Sequence, residues 1–148
     1  MDKSHEAIVQ LRNCDQELID RSKAILKEMN AVIKRSFLNK AKGKIEVDWY
    51  LKRKDDAKKL IDKLSKEYLG EKEITAKLHT KDKTTGKKIY KITAKFSKFP
   101  FNKGSKILFN DEEFDIIDVK GKYLIVKQRN EKLSIPLNKL KNFRVLEK

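Results

Sequence analysis

The stretch over residues 45–69, IEVDWYLKRKDDAKKLIDKLSKEYL, changes its period half-way, and that change limits the folds open to the chain. Over 45–51 the apolar residues alternate. Ile45, Val47, Trp49 and Leu51 point one way, and Glu46, Asp48 and Tyr50 point the other. Period two is a strand with one buried face. From Asp55 the spacing becomes helical: Ala57, Leu60, Ile61, Leu64 and Tyr68 share one stripe, and lysines fill the opposite side. Asp55 and Asp56 suit the positive end of a helix, and Gly70 stands where a left-handed cap is wanted. A one-sided strand joined to a one-sided helix is not stable alone. The chain on either side must supply the rest of a sheet and its cover.

Both flanks carry suitable patterns. Residues 5–12 alternate Ala7, Val9 and Leu11 against Ile8, Gln10 and Arg12, which predicts a strand. Asp15 suits an N-cap, and apolar spacing predicts a helix from there to about Ile33. The run 34–44, KRSFLNKAKGK, reads as a basic loop turning at Gly43. After Gly70, residues 73–80 and 89–96 predict a hairpin with a long basic tip. Ile74, Ala76 and Leu78 on one strand and Tyr90, Ile92, Ala94 and Phe96 on the other are expected inward. The order β-α-β-α-β-β predicts an α+β, two-layer domain over 1–98, a sheet covered by two helices. Ser97 to Pro100 is the boundary. Beyond it, strands expected near 107–109, 113–119, 123–127, 132–135 and 143–146 alternate with turns at Asn110-Asp111, Lys120-Gly121 and Arg129-Asn130. With a helical turn over 137–140, that pattern predicts a five-stranded SH3-like β-barrel over 99–148.

Charge narrows the function. The chain of 148 residues carries a formal net charge of +15, which a balanced heat-stable surface would not leave uncompensated. Residues 1–98 hold 26 basic and 15 acidic side chains, net +11; residues 99–148 hold 11 and 7, net +4. A polyanionic partner is therefore expected mainly for the first domain. Cys14 is the only cysteine, so a disulfide framework and a cysteine zinc site are excluded. Two histidines, His5 and His79, do not make a metal centre, and neither metal nor cofactor is expected. The sequence GKK at 86–88 lacks the upstream glycine of a P-loop, and no nucleophile, base and acid set is recognisable, so an enzyme is not expected. Asp48, with Glu46 beside it, fits an ion-paired face better than a metal ligand, and Trp49 and Cys14 fit core positions. There is no membrane-length apolar run and no secretory signal, so a soluble, cytoplasmic protein is expected. The abrupt N-terminus fits a chain cut from a longer one and equally a short natural N-terminus.

The candidate binding residues form two groups. Lys34, Arg35, Lys40, Lys42 and Lys44 are the first, with Phe37 among them as a base-stacking candidate. Lys81, Lys83, Lys87 and Lys88 at the hairpin tip are the second, with Lys91 on its outward face. Such cations reach phosphate oxygens. Lysines far outnumber arginines, which favours backbone or shape recognition over bidentate base readout.

Several of these segments have a familiar order and spacing. EAIVQLR with Gln10 and Arg12, then Asp48-Trp49-Tyr50, Ala57-Lys58-Lys59 opening the helix, and Tyr90-Lys91 in the second hairpin strand resemble the nonsense-mediated-decay-protein-three family. That family comprises the eukaryotic export adaptor of the large ribosomal subunit and its archaeal relatives. The resemblance implies a first domain like eukaryotic-type ribosomal protein L twenty-two and a second like the barrel of translation factor five-A. It places the barrel towards the exit-tRNA site and the L-one stalk. The family's zinc module has no counterpart here, which implies a fragment or truncated form without it; the chain ends directly after the barrel, which implies an archaeal type. The turn around Gly121 is too short for a hypusine loop.

The expected function is that of a non-catalytic, ribosome-associated factor. It would bind rRNA and ribosomal proteins of the large subunit during assembly or quality control. Two other readings stay open: a general nucleic-acid-binding regulator, and a protein-interaction adaptor whose charge serves stability alone.

Overall fold

The computed structural model describes residues 5–41, 44–81, 86 and 88–147, with the backbone alone for 41, 79–81, 88, 89 and 147. Among the described residues the fold is mixed α/β: two five-stranded sheets and two α-helices. It divides into two compact units. The first holds residues 1–67 and 72–98; the second holds Tyr68–Glu71 and residues 99–148.

The first unit runs β1 (Ala7–Cys14), α1 (Gln16–Glu28), β2 (Ile33–Ala41), β3 (Lys44–Leu51), α2 (Lys54–Glu67), β4 (Gly70–Lys81, its first two residues in the second unit) and β5 (Lys88–Lys98). The strand order is β2-β3-β1-β5-β4. β1 pairs antiparallel with β3 and parallel with β5, and β2 pairs antiparallel with β3. The alternation read from the sequence decides which side is buried. Ala7, Val9 and Leu11, Val47, Trp49 and Leu51, and Ile92, Ala94 and Phe96 are buried. α2 packs on β5, β1 and β3 with Ala57, Leu60, Ile61 and Leu64, and α1 packs on α2. Each fully buried large apolar side chain contributes roughly 1.5–3 kcal/mol.

α1 begins as its sequence requires. The Leu18 N–H donates to Asp15 Oδ1 at 2.8 Å. Lys98 donates to the other carboxylate oxygen. Burial alone would raise the Asp15 pKa; these two hydrogen bonds outweigh it and hold the carboxyl below its ordinary range.

Four expectations are corrected. First, α1 stops at Glu28, not near Ile33. Asn30 takes φ 54°, its N–H donates to Lys27 O, and the Ala31 N–H donates to Leu26 O. That is a Schellman ending with asparagine in the left-handed position. Second, the supposed basic loop at 34–44 is strand. β2 and the start of β3 occupy it, so the first unit reads β-α-β-β-α-β-β. Third, Gly70 opens β4 instead of capping α2. The chain is extended there, and Leu69 is buried in the second unit's core. Fourth, Ile74, Ala76 and Leu78 are exposed, and so is Tyr90. β4 is an edge strand, and the packing of α2 is centred on the three middle strands.

The second unit has β6 (Lys106–Phe109), β7 (Glu112–Lys120), β8 (Tyr123–Gln128), β9 (Glu131–Pro136), a 3₁₀ turn (Leu137–Lys139) and β10 (Arg144–Glu147). The order is β10-β6-β7-β8-β9, and every described pairing is antiparallel. The turns sit where the sequence places them. Asn110-Asp111 and Arg129-Asn130 carry positive φ at both positions, the twist that suits a two-residue hairpin. Gly121, φ 60°, opens the third. Leu69, Phe101, Ile107, Phe109, Phe114, Ile116, Leu124 and Val126 form the core. Among the described residues no helix is long and apolar enough to cross a membrane.

Candidate nucleic-acid interface

Directly opposed residues of an antiparallel pair project to the same face. Ser36 opposes Trp49, and Leu38 opposes Val47, so they lie on the helix side of the first sheet. Arg35 opposes Tyr50, Phe37 opposes Asp48 and Asn39 opposes Glu46, so these lie on the other side. β1 and β5 continue the rows. Tyr50 is followed by Ile8 and Thr93, and Asp48 by Gln10 and Lys95. All these residues are exposed or half-buried. The first sheet thus has one face sealed over β3, β1 and β5, with Leu38 and Ser36 of the edge strand β2 still exposed, and one open face.

Why β2 is a strand is visible in its contacts. It lies at the sheet edge, and the Trp49 indole N–H donates to Ser36 Oγ at 3.0 Å. A buried tryptophan needs such a partner for its polar end, and the contact ties β2 to β3. Lysine and arginine on an edge strand also discourage pairing with another chain. The same residues made the segment read as a loop.

Aromatic rings cluster on the open face. Tyr50 lies between His5, ring centroids 4.7 Å apart, and Phe37, centroids 5.7 Å apart in an edge-on contact. Phe37 is 52% exposed. Arg12 crosses to Asp48, Nη1 to Oδ1 2.8 Å, and its Nη1 also donates to the carbonyls of Leu11 and Val47. Asp48 is therefore an ion-paired carboxylate. Among the described residues no group of three or more His, Cys, Asp or Glu side chains is placed to hold a metal. Cys14 is buried at the end of β1, and burial pushes its thiol up to about 11. The loop–helix junction does not activate it.

The candidate cations are distributed unevenly. Arg35, Lys44 and Lys91 fall on the open face, and Lys95 joins them. Lys34 lies at the bulge in β2. Lys40 opposes Ile45 and is on the helix side, exposed beyond the sealed region. The side chains of Lys81 and Lys88, at the ends of β4 and β5, and all of Lys42, Lys83 and Lys87 lie outside the described residues. The sequence reading missed that Tyr50 and His5 gather around Phe37. The signal was available only in part: Tyr50 was on the polar side of its strand, but nothing local puts β2 beside it.

The family model for NMD3, second domain, matches residues 4–96. The chain belongs to the NMD3 family. Gln10, Arg12, Asp48-Trp49-Tyr50, Ala57-Lys58-Lys59 and Tyr90-Lys91 all lie within the matched span. The open face of this NMD3-family chain lies within it too, and residues 97–148 lie outside. The roles known for NMD3 proteins are associated with the ribosomal subunits. No curated protein matches the chain.

Proposed function

We propose that this NMD3-family chain binds the large ribosomal subunit without catalysing a reaction, and that its first unit holds rRNA through phosphate contacts. The observation that carries the reading is the distribution of charge within the family-matched region. Residues 29–45 contain no acid, and they supply Lys34, Arg35 and Lys40 along an exposed edge strand, Lys44 at the start of its neighbour, and Lys42 outside the described residues. Cations on an edge reach a phosphate backbone without reading bases. Lys81, Lys83, Lys87 and Lys88, read from the sequence as the tip of a hairpin, add to the same surplus of cations. The second unit is taken as an SH3-like barrel because its five short antiparallel strands are joined by tight turns, with a 3₁₀ turn before the last. Its partner would be rRNA or a ribosomal protein, during assembly or quality control in the cytoplasm.

The test is co-sedimentation with purified large subunits. Wild type is compared with a variant in which Lys40, Lys42, Lys44, Lys83, Lys87 and Lys88 become Glu. Wild type is expected to pellet and the variant to stay in the supernatant. Equal pelleting would remove the phosphate reading.

A further inference from the structure

We propose that the open face of the first sheet is a stacking platform for unpaired RNA bases, with Phe37 and Tyr50 as the rings on which they lie. The proposal rests on the ribosomal reading above and deepens it: it names single-stranded segments of the RNA as the ligand.

Three observations support it. The first is an exposed ring in an unfavourable place. Phe37 lies on an edge strand with half its surface in solvent, between Arg35 and Asn39 on the same face. Nothing in the first unit's sealed core uses it. The second is preparation. Phe37 and Tyr50 meet edge-on, and the His5 ring packs against Tyr50 as well. Rings already held in place lose little freedom when a base arrives. The third is what surrounds them. Gln10, Asn39 and Thr93 offer hydrogen-bonding groups to base edges, and Arg35, Lys44, Lys91 and Lys95 offer cations to phosphates. On the strands β2, β3, β1 and β5 the acids on this face are Glu46 and Asp48, and Arg12 pairs with Asp48. On the edge strand β4, Lys72 reaches Asp62 of α2, so the alternating Glu71 and Glu73 also fall on the open side, at the far edge from Phe37. An aromatic centre within a polar, cationic surround matches a nucleotide strand. An apolar protein surface would want a wider hydrophobic patch.

Duplex RNA cannot use such a platform, because its bases are already stacked on one another. Single strands can. The two ligands therefore separate stacking from phosphate binding.

The experiment measures affinity of the full chain for an unstructured RNA carrying 2-aminopurine, about ten nucleotides long, and for an RNA duplex with a similar number of phosphates. Wild type is expected to quench the 2-aminopurine and to prefer the single strand. Phe37→Ala should weaken single-strand binding by about tenfold or more and abolish the quench. Its duplex affinity and its salt slope should stay within about twofold of wild type. Phe37→Trp should restore both affinity and quench. Phe37 is exposed, so far-UV circular dichroism of both variants should match wild type. Unchanged single-strand affinity in Phe37→Ala overturns the platform, as a face built for a protein partner would predict. Equal losses on single strand and duplex overturn it as well. If the lysine-to-glutamate variant loses the subunit while Phe37→Ala changes nothing, the platform falls and the ribosomal reading stands. If wild type fails to pellet with subunits but stacks the single strand, the ribosomal reading falls and the platform stands.

Discussion

The two units bury their sheets in different ways. In the first, two helices seal one face, and the alternate residues of the same strands remain open. In the second, no α-helix is present among the described residues. The strands β6, β7 and β8 supply most of the core, with Leu69 and Phe101 added from outside them. The charge differs as well. Residues 29–45 of the first unit have no acid, whereas Asp111, Glu112, Glu113, Asp115 and Asp118 crowd one hairpin of the second. A helix-backed sheet can hold a conserved shape while leaving a whole face for binding. A small sheet that must close on its own side chains has less surface to spare.

Comparing the two faces of one strand tests this contrast, and the largest effects come from the core. Phe96→Ala, on the sealed side of β5, should cost about 3–5 kcal/mol. Thr93→Ala, on the open side of the same strand, should stay within about 0.5 kcal/mol. Trp49 is the only tryptophan and lies in the first unit, so its fluorescence during urea unfolding reads that unit directly. Equal costs for the two substitutions would break the one-sided picture. In the second unit, Leu124→Ala should cost about 2–5 kcal/mol and Tyr123→Ala under about 1 kcal/mol.

Cys14 sharpens the comparison at the rim of the sealed face. Its thiol is raised from 9.0 to about 11 by burial. A raised folded pKa means its stabilising contribution is complete below pH 9 and is lost as pH rises towards 11. Measured against Cys14→Ala, wild type should therefore lose stability across that window, by about 1 kcal/mol once solvent screening of a partly covered thiol is allowed for. A constant difference between the two proteins from pH 8 to 11 would show the thiol is not sealed.

Two smaller effects concern edges. Asn30→Val, at the left-handed end of α1, should cost about 1–2 kcal/mol, and Asn30→Gly should be neutral or slightly stabilising. Thermal unfolding by circular dichroism separates them. The Arg12–Asp48 pair is partly exposed, with side chains 21% and 33% accessible. A double-mutant cycle with Arg12→Gln and Asp48→Asn should give a coupling under about 1 kcal/mol, and less at high salt.

Much of this was legible in the sequence because it is local. The strand–helix switch after Leu51, the Asp15 cap, and the turns at Asn110-Asp111 and Arg129-Asn130 depend on neighbouring residues. The second unit's strands followed from those turns almost residue by residue. Asn30 was legible in principle, since asparagine favours the left-handed position, but the apolar spacing beyond it, through Val32 and Ile33, continued the helical pattern. Four residues of the candidate site, Lys34, Arg35, Lys40 and Lys44, read as a loop in the sequence and lie on strands in the structure.

What the sequence by itself determined was which residues want burial and where the chain must turn. Only the tertiary structure decided that 33–41 is a strand, that Leu69 belongs to the second core, and that Phe37 meets Tyr50 and His5. The reason is physical. An edge strand is held by its neighbour's backbone, and a ring contact is made by register between strands distant in sequence. Neither leaves a period in the side chains for the sequence to show.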